Sequence, residues 1–402
     1  MKGACIMKWR HLPLATLTLC FAGAVFAAEP VITSEFIFPL QGKHCHSSSI
    51  VQCPNGDLLA AWFYGSGERS ANDVLVQGAR MIKGAKEWSE VFVMADSPGL
   101  PDCNPVLFID PQKKLWLFWI PVLTNRWERA PLKYRTSMDY QDNGAPQWSW
   151  QDVLFLDPGK EFPDQLEAGF KELGYEQPMW GEYAPEYTTM LIEAAKDPLK
   201  RTMGWMTRAK PIVLNSGRLV LPLYSDGYNI SVVALSDDNG ENWRLSKPIV
   251  GLGPIQPSVL QRKDGTVVAF MRDSGDDPKR VLIASSKDNG ETWSVATDTD
   301  IPNPSSTAAV CAFSDGRWVM ACNDTENGRH QLAMLLSEDE GATWPAKRYL
   351  EKSEPGKAGY AYPTVIQARD GMIHVSYSYS VDEGKCIKHA AFNAEWILAG
   401  DN

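Results

Sequence analysis

The stretch Ser-Asp-Asp-Asn-Gly-Glu-Asn-Trp at residues 236–243 decides the fold, because it returns twice with few changes. Residues 286–293 read Ser-Lys-Asp-Asn-Gly-Glu-Thr-Trp, and residues 337–344 read Ser-Glu-Asp-Glu-Gly-Ala-Thr-Trp. The tryptophan that closes each copy follows the previous one by 50 and then by 51 residues. A repeat of this length indicates similar structural units that bury their apolar faces against one another.

Hairpin signals lie between the copies. Asp264-Gly265, Asp315-Gly316 and Asp370-Gly371 each join two alternating apolar runs, as in a β-hairpin with a tight turn. Each unit then has four strands, which is one blade of a β-propeller. Six units are predicted, with turns near Asn55, Lys113, Ser216, Asp264, Asp315 and Asp370. Their closing tryptophans are predicted to be Trp88, Trp148, Trp243, Trp293, Trp344 and Trp396.

The repeated motif itself has a structural use. Its glycine permits a sharp turn, its serine and aspartate can bond to backbone amides of that turn, and its tryptophan can pack between neighbouring sheets. We therefore expect the motif on the face of the propeller away from any active site.

Residues 151–205 break the period. Their content of Glu, Lys, Leu and Ala predicts short helices within 161–174 and 188–201. The predicted fold is all-β: a six-bladed β-propeller of four-stranded antiparallel blades over residues 29–402, with a partly helical insertion over one face.

Composition and the first residues restrict function and location. The 402 residues carry 39 Lys and Arg against 49 Asp and Glu, a net charge of −10 that argues against nucleic-acid binding. Residues 1–28 have a basic start, an apolar run and small residues at its end, typical of a cleaved secretory signal. The protein is therefore expected to be secreted or periplasmic, monomeric, and not inserted in a membrane after cleavage.

The repeats resemble the Asp boxes of the sialidase (neuraminidase) superfamily. The stretches His-Ser-Ser-Ser-Ile-Val at 46–51, Asn-Pro-Val-Leu-Phe at 104–108 and Tyr-Pro at 362–363 look like its bacterial BNR branch. The resemblance implies an enzyme in which three arginines hold the substrate carboxylate, a tyrosine attacks the anomeric carbon with help from a glutamate, and an aspartate is the acid/base. Planar guanidinium groups suit a carboxylate, and a neutral tyrosine avoids the repulsion that a carboxylate nucleophile would meet.

Carried over to this chain, the resemblance implies a set of catalytic residues. Arg272 and Arg329 match the second and third arginines, and Tyr362 matches the nucleophile. Asp73 matches the acid/base, with Glu68 and Asp102 as alternatives. Substrate-binding residues are then expected to be Arg272, Arg329, Arg69, Asp102, Asn104, Trp127, Asn303 and Asn323. The residues Arg208, Lys210, Asp226 and Asn229 end strands of the third unit and are also predicted to reach the centre.

Three positions depart from the family pattern. His46 stands where the first arginine is expected, Gln256 where the glutamate is expected, and Ser378 where a supporting carboxylate is expected. Gln256 is neutral and cannot accept the tyrosine proton, whereas His46 can replace an arginine or activate Tyr362. The sequence shows no metal-ligand spacing and no Gly-rich phosphate loop, so no metal and no cofactor are expected.

Three functions remain open on the sequence alone. The first is an exo-acting glycoside hydrolase that releases sialic acid or a related acidic sugar from a glycan. The second is a polysaccharide lyase on a uronic-acid polymer that uses His46 and Tyr362, because β-elimination needs a base, an acid and a neutralised carboxylate. The third is a non-catalytic glycan-binding propeller with Trp119, Trp127 and Trp180 as stacking platforms.

Overall fold

The computed structural model of the protein describes residues 28–174 and 186–401, together with residues 1 and 3. Six antiparallel sheets follow one another along the chain and form a ring, so the predicted six-bladed propeller is confirmed. The predicted secretory signal lies almost entirely outside the described residues and stays a prediction. None of the helices in the described part of the chain is long and apolar enough to cross a bilayer.

Every blade is a meander of strands that runs from the centre of the ring outwards. The outermost strand of blade 6 comes first in the chain and is β1 (Ile32–Phe36). Blade 1 comprises β2 (His44–Gln52), β3 (Leu58–Gly65), β4 (Leu75–Met81) and β5 (Phe92–Ala95). Blade 2 comprises β6 (Asp102–Ile109), β7 (Leu115–Pro121), β8 (Lys133–Ser137) and β9 (Trp150–Val153). Blade 3 comprises β10 (Met206–Thr207), β11 (Ile212–Val213), β12 (Leu219–Ser225), β13 (Ile230–Ser236) and β14 (Arg244–Leu245).

The second half of the ring continues in the same way. Blade 4 comprises β15 (Pro254–Gln261), β16 (Val267–Asp273), β17 (Arg280–Ser286) and β18 (Thr297–Pro302). Blade 5 comprises β19 (Ala309–Ala312), β20 (Trp318–Cys322), β21 (Gln331–Ser337) and β22 (Ala346–Lys352). Blade 6 comprises β23 (Ala358–Gln367), β24 (Ile373–Val381), β25 (Gly384–Phe392) and β1. In blade 3 the innermost position is divided between β10 and β11, which both pair with β12.

The ring is closed by strands from the two ends of the chain. β1 pairs with β25 along its whole length, from Ile32 opposite Phe392 to Phe36 opposite Lys388. This pairing ties the start of the described chain to its end. The last predicted tryptophan differs from expectation, because Trp396 lies not in a strand but in a short helix after β25, α4 (Ala394–Leu398). Trp396 nevertheless packs against Phe392, with ring centroids 4.7 Å apart.

The three Asp boxes are structural, as predicted. In the second copy Gly290 has φ +87° and donates its N–H to the Ser286 hydroxyl, while Asp288 accepts from both the backbone and the hydroxyl of Thr292. The tryptophans pack across the blade boundaries. Trp243 of blade 3 meets Trp116 of blade 2 edge to face, and Trp344 of blade 5 meets Phe270 of blade 4 in the same way.

The strand directions place the boxes and the candidate site on opposite faces. Each box joins the third and fourth strands of a blade, at the same end as the hairpin turn between the first and second strands. The connections from the second to the third strand, and from one blade to the next, lie at the other end. The starts of β2, β15 and β23 lie there too, and so do His46, Gln256 and Tyr362.

Asp288→Ala is expected to lower the free energy of unfolding by about 1 kcal/mol, because charge-assisted bonds to Thr292 are lost at a largely exposed turn. The turn is far from the candidate site, so the chemistry of the folded protein should not change. Denaturant titration measures the loss, and Lys287→Ala in the same turn is the matched control. A normal midpoint for Asp288→Ala would contradict the structural role.

The interruption between blades 2 and 3 carries the predicted helices. They are α1 (Phe162–Leu173), α2 (Tyr187–Lys196) and α3 (Pro198–Arg201). Two single-turn 3₁₀ helices, Leu123–Asn125 and Trp127–Arg129, lie between β7 and β8. Phe162 of α1 packs edge to face on Trp205 and on Tyr228, at ring-centroid distances of 5.9 and 5.3 Å. The insertion therefore rests on the face where blades 2 and 3 connect, which is also the face of the candidate site.

Candidate active site

Several innermost strands contain a non-glycine residue with a positive φ angle where they enter the central channel. Ser47, Asn104, Gln256 and Tyr362 have φ between +51° and +58°, and Ser305 just before β19 has φ +57°. Four of these residues lie at register shifts in β2, β6, β15 and β23. Left-handed conformations are rare for residues with side chains and cluster at functional sites, and a bulge re-aims the side chain that it carries.

These bulges surround a polar cavity of about 360 Å³. Its lining comes from strands and loops of all six blades. The lining residues are His46, Glu68, Asn104, Trp127, Tyr224, Asp226, Asn229, Ile255, Gln256, Arg272, Ser274, Arg329 and Tyr362. Most of the residues that the sequence assigns to catalysis and to carboxylate binding are thus brought together in one cavity.

Tyr362 contacts several of the other residues that line this cavity. Its hydroxyl accepts one hydrogen bond from the Gln256 amide and one from Arg272 Nη1, both at 3.1 Å. The Arg329 guanidinium lies 5.3 Å from the centre of the tyrosine ring. The His46 ring lies against the same ring at a centroid distance of 4.2 Å and an angle of 30°. The hydroxyl therefore faces two cationic side chains and a neutral amide.

Gln256 is fixed by a network of polar contacts. Its amide oxygen accepts a short bond from the Thr307 hydroxyl, and its amide nitrogen also lies 3.4 Å from the Tyr224 hydroxyl. That hydroxyl accepts from Asn104 at 3.2 Å. Asn104 and Gln256 are both buried, so these bonds hold the amide that contacts Tyr362 in one orientation.

The two arginines are held together by one loop. Ser305 accepts from Arg272 Nε through its hydroxyl at 3.2 Å and from Arg329 Nη2 through its carbonyl at 2.9 Å. Asn303 lies outside the cavity lining, but its buried side chain bonds to the backbone N–H and carbonyl of Ser306 and so shapes this loop. The two guanidinium groups consequently point to one region, as a clamp for a carboxylate requires.

His46 stays neutral in this environment. Burial lowers its pKa well below the ordinary value, and the positive charges of Arg329 and Arg208 lower it further. A neutral imidazole keeps one nitrogen lone pair free and adds no charge to the clamp. The missing first arginine is therefore not replaced by a histidine cation.

Two carboxyl groups face the cavity, and neither is Asp73. Burial raises the pKa of Glu68, and the nearby cations Arg69 and Arg329 offset part of this rise. Asp226 is exposed to the cavity, yet surrounding protein atoms crowd its carboxylate and raise its pKa as well. A carboxyl group with a raised pKa keeps its proton at higher pH than usual, which suits a general acid.

Asp73 points elsewhere. It is exposed and accepts from the backbone and hydroxyl of Ser66 and from Lys43 Nζ at 3.1 Å. These bonds to Ser66 and Lys43 lower its pKa to about 2. The structure therefore places Glu68 in the cavity and Asp73 at the outer end of the same loop.

Several other predicted binding residues have internal partners instead. Asp102 is buried and accepts from Trp119 Nε1 at 2.8 Å, and Trp119 is itself completely buried and so cannot be a stacking platform. Asn323 is buried and donates to the carbonyls of Gln331 and Tyr360. Trp180 lies outside the described residues.

Arg69 and Trp127 form part of the rim. The Arg69 guanidinium lies 5.3 Å from the Trp127 ring and its Nε donates to the carbonyl of Asn125 at 3.0 Å. Of the residues predicted from the third unit, Asp226 and Asn229 line the cavity, whereas Lys210 donates to the carbonyl of Val365 towards the other end of the channel.

Arg208 lies beneath the cavity. It is almost fully buried, and its guanidinium is 4.9 Å from the centre of the Tyr362 ring. Nη1 donates to the carbonyl of Ser48 at 3.2 Å and Nη2 to that of Pro363 at 3.0 Å, so one side chain bridges the bulges that carry His46 and Tyr362. Burial lowers its pKa to about 10, and no carboxylate pairs with it among the described residues.

The described part of the chain contains no cluster of metal-binding side chains and no disulfide bond. No group of three or more His, Cys, Asp or Glu there could hold a metal ion. The six cysteines after the predicted signal are buried and unpaired.

Known proteins share this sequence pattern and fold. A sialidase of Micromonospora viridifaciens is 29% identical over 232 residues, which are 52% of this chain and 33% of that protein. An anhydrosialidase of Macrobdella decora is 25% identical over 40% of this chain and 23% of its own length. The chain thus matches a third or less of these two relatives.

Solved structures show the same fold at low identity. A leech intramolecular trans-sialidase complexed with 2,7-anhydro-Neu5Ac has a TM-score of 0.67 and 14% identity, over 91% of this chain and 71% of that one. A protein of unknown function from Dyadobacter fermentans has a TM-score of 0.66 and 16% identity, over 90% and 99%. The BNR repeat-like domain family matches residues 56–184 and 195–375, well over half of the sequence. The chain therefore belongs to the BNR repeat-like domain family, as its Asp boxes predict.

Proposed function

We propose that the protein is an exo-acting glycoside hydrolase of the sialidase type that releases a terminal acidic sugar from a glycan. The observation that carries the proposal is the position of Tyr362, whose hydroxyl lies in a polar cavity, 3.1 Å from Arg272, with Arg329 against the tyrosine ring. The names of the sequence relatives support the same reaction class. A cavity of about 360 Å³ accommodates a single sugar residue better than an extended polymer, which supports exo-action.

In the proposed reaction, Arg272 and Arg329 bind the substrate carboxylate. The Tyr362 oxygen attacks the anomeric carbon, the bond from that carbon to the leaving oxygen breaks, and Glu68 donates a proton to the leaving oxygen. Water then hydrolyses the tyrosyl glycoside, with Glu68 as the base. Because Gln256 cannot accept the tyrosine proton, we assign that role to His46, whose ring lies against the Tyr362 ring. His46 returns the proton to the tyrosine oxygen when water cleaves the tyrosyl glycoside.

One observation favours a second reaction. The Gln256 amide donates a hydrogen bond to the Tyr362 hydroxyl at the position where a carboxylate base is expected. The neutral imidazole of His46 lies beside the tyrosine ring. A His–Tyr pair with an arginine-neutralised carboxylate also meets the needs of β-elimination on a uronic-acid polymer. The two reactions differ in product, because elimination leaves a conjugated double bond and hydrolysis adds water.

The deciding experiment is incubation of the protein with sialylated oligosaccharides and with uronate-containing polysaccharides. Mass spectrometry and ultraviolet absorbance identify the products. Release of a free acidic monosaccharide without an unsaturated chromophore is the expected result. An unsaturated product would establish a lyase. The absence of product from every glycan would support the third function, a glycan-binding propeller without catalytic activity.

Glu68→Gln is expected to lower kcat on glycan substrates by about 10²–10³-fold, because the leaving oxygen loses its proton donor. An aryl glycoside should lose much less, since its leaving group departs without protonation. In the parent protein, activity on glycans should fall as the pH rises through the raised pKa of Glu68. The Glu68→Gln variant should not show this pH-dependent loss of activity.

Asp73→Asn is the matched control, since it removes the other carboxylate of the same loop. We expect less than about a tenfold change, because Asp73 lies outside the cavity and general acid catalysis is lost only with the group that donates the proton. A larger loss for Asp73→Asn than for Glu68→Gln would return the acid/base role to Asp73. Melting curves should show both variants folded, and Glu68→Gln should be no less stable at neutral pH, because a buried carboxylate with a raised pKa destabilises the native state there.

A further inference from the structure

The central channel has a second mouth at the end opposite the candidate active site. The hairpin turns between the first and second strands of the blades lie at this end, and the innermost strands finish there. A cavity of about 570 Å³ occupies this mouth, and the innermost strand of every blade contributes to its lining. We call it the distal cavity. It lies on the face that carries the Asp boxes.

The charged residues that line the distal cavity are both cations. Lys210 lies between β10 and β11, and Arg369 follows β23. No aspartate or glutamate lines the cavity in the described part of the chain. Neither cation forms an ion pair with a described residue, although the whole protein has a net charge of −10. A cavity with positive charge and no counter-charge attracts an anion.

Both cations have N–H groups that are free to bind a ligand. Lys210 is half-buried, and its Nζ donates to the Val365 carbonyl at 3.0 Å and lies 3.7 Å from Cys311 Sγ, a weak acceptor. An ammonium group has three N–H donors, so at least one has no acceptor among the described residues. Arg369 Nη2 donates to two carbonyls in the first hairpin turn of blade 1, whereas its Nη1 and Nε donate to no described residue. An oxyanion group would accept from these free donors.

The three glutamine side chains of the distal cavity are oriented by the fold. Gln52, Gln261 and Gln367 are the last residues of β2, β15 and β23. Each side-chain oxygen accepts from a backbone N–H of the neighbouring blade, and each side-chain nitrogen donates to a carbonyl in its own hairpin turn. One N–H of each amide then remains for a ligand, which is little for a densely hydroxylated sugar.

Much of the remaining wall is apolar. Phe108, Leu260 and Ile366 line the cavity and are largely buried, and Val213 lines it with 38% of its surface exposed. Covering apolar wall of this kind removes it from water and stabilises a complex. An apolar wall beside two unpaired cations therefore suits a molecule that has an apolar body and one anionic group.

We propose that the distal cavity binds an organic anion in which a carboxylate is joined to an apolar body. The carboxylate pairs with Lys210 and Arg369, and the body covers the apolar wall. Tyr362 and the two arginines of the candidate active site take no part, because they lie at the other mouth of the channel. The inference therefore does not depend on the proposed glycoside hydrolase.

Benzoate, titrated into the protein and followed by ligand-observed NMR at constant ionic strength, tests the proposal. We expect a Kd of about 1 mM, and at least about tenfold weaker binding of benzamide, which has the same ring without the charge. Glucuronate and inorganic phosphate have a negative charge without an apolar body and should also bind more weakly than benzoate. No binding of benzoate, or equal affinity for benzoate and any of these three, would overturn the assignment to an organic anion.

Single substitutions locate the bound anion. Lys210→Met should weaken benzoate binding by about tenfold or more, and Arg369→Gln by about two- to fivefold, because Arg369 is exposed to solvent. Lys287→Met removes an exposed lysine from an Asp-box turn on the same face and should change the affinity by less than about twofold. Loss of binding in Arg272→Ala but not in Lys210→Met would place benzoate in the candidate active site and overturn the proposal. If Lys210→Met fails to fold, the affinity of Arg369→Gln relative to Lys287→Met decides.

Discussion

Tyr362→Phe is expected to abolish cleavage, with a fall in kcat of at least about 10³-fold, because the nucleophile itself is removed. The ring should stay in place, since His46 on one side and the guanidinium groups of Arg208 and Arg329 hold it. Only the hydroxyl and its two bonds to Arg272 and Gln256 disappear. Steady-state kinetics on the cleaved glycan give the loss, and binding of the released sugar shows whether the clamp survives.

Tyr224→Phe is the matched control for that variant. Tyr224 lines the same cavity, is buried, and also contacts the Gln256 amide, but its hydroxyl has no arginine within hydrogen-bond distance among the described residues. A loss of less than about tenfold is expected for Tyr224→Phe, because one neutral hydrogen bond is removed. Similar losses for the two tyrosines would argue that neither is the nucleophile.

Arg208→Met is expected to lower activity by at least about 10²-fold without lowering stability by more than about 1 kcal/mol. Arg208 bridges the bulges that hold His46 and Tyr362, so its loss should misplace the reacting groups. Its buried charge has no carboxylate partner, and replacing such a charge by an apolar side chain relieves a desolvation cost. The Ser48 carbonyl keeps a second donor, the Thr364 hydroxyl at 2.7 Å.

Arg80→Met provides the contrast. Arg80 is equally buried, but it pairs with buried Asp57 at 3.3 Å and donates to the carbonyl of Tyr140. Its removal leaves a buried carboxylate uncompensated, so a loss of about 3–5 kcal/mol is expected. Thermal and chemical unfolding of the two variants make the comparison. A strongly destabilised Arg208→Met would show that Arg208 is retained for the fold and not for the reaction.

Three residues assigned to the candidate site from the sequence lie close together in the structure. Arg272 and Arg329 were expected at strand ends of blades 4 and 5, and Tyr362 at the start of the innermost strand of blade 6. The structure brings all three to one cavity, together with His46 and Gln256. The residues themselves were assigned from the resemblance to the sialidase superfamily, and the repeat explains why they meet, because the corresponding strand ends of successive blades surround the central channel.

The choice between Glu68 and Asp73 does not follow from the repeat. Both residues lie in the loop between β3 and β4, five positions apart, and either could face the centre. The direction is set by Ser66 and Lys43, which bind Asp73 at the outer end of the loop. Such contacts depend on the folded path of an irregular loop, which no periodicity specifies.

The sequence by itself determined the number of blades, their strand order, the role of the Asp boxes and the face that carries the candidate site. These features depend on turn residues and on the alternation of apolar and polar residues along a strand, and each repeat unit contains both signals. The sequence predicts that Arg208 reaches the centre and leaves Glu68 open as an alternative to Asp73. The tertiary structure decided that Arg208 lies beneath the Tyr362 ring and that Glu68, and not Asp73, lines the cavity. Each of these depends on contacts between residues distant in sequence, such as Arg208 with Ser48 and Pro363, which exist only once the ring has closed.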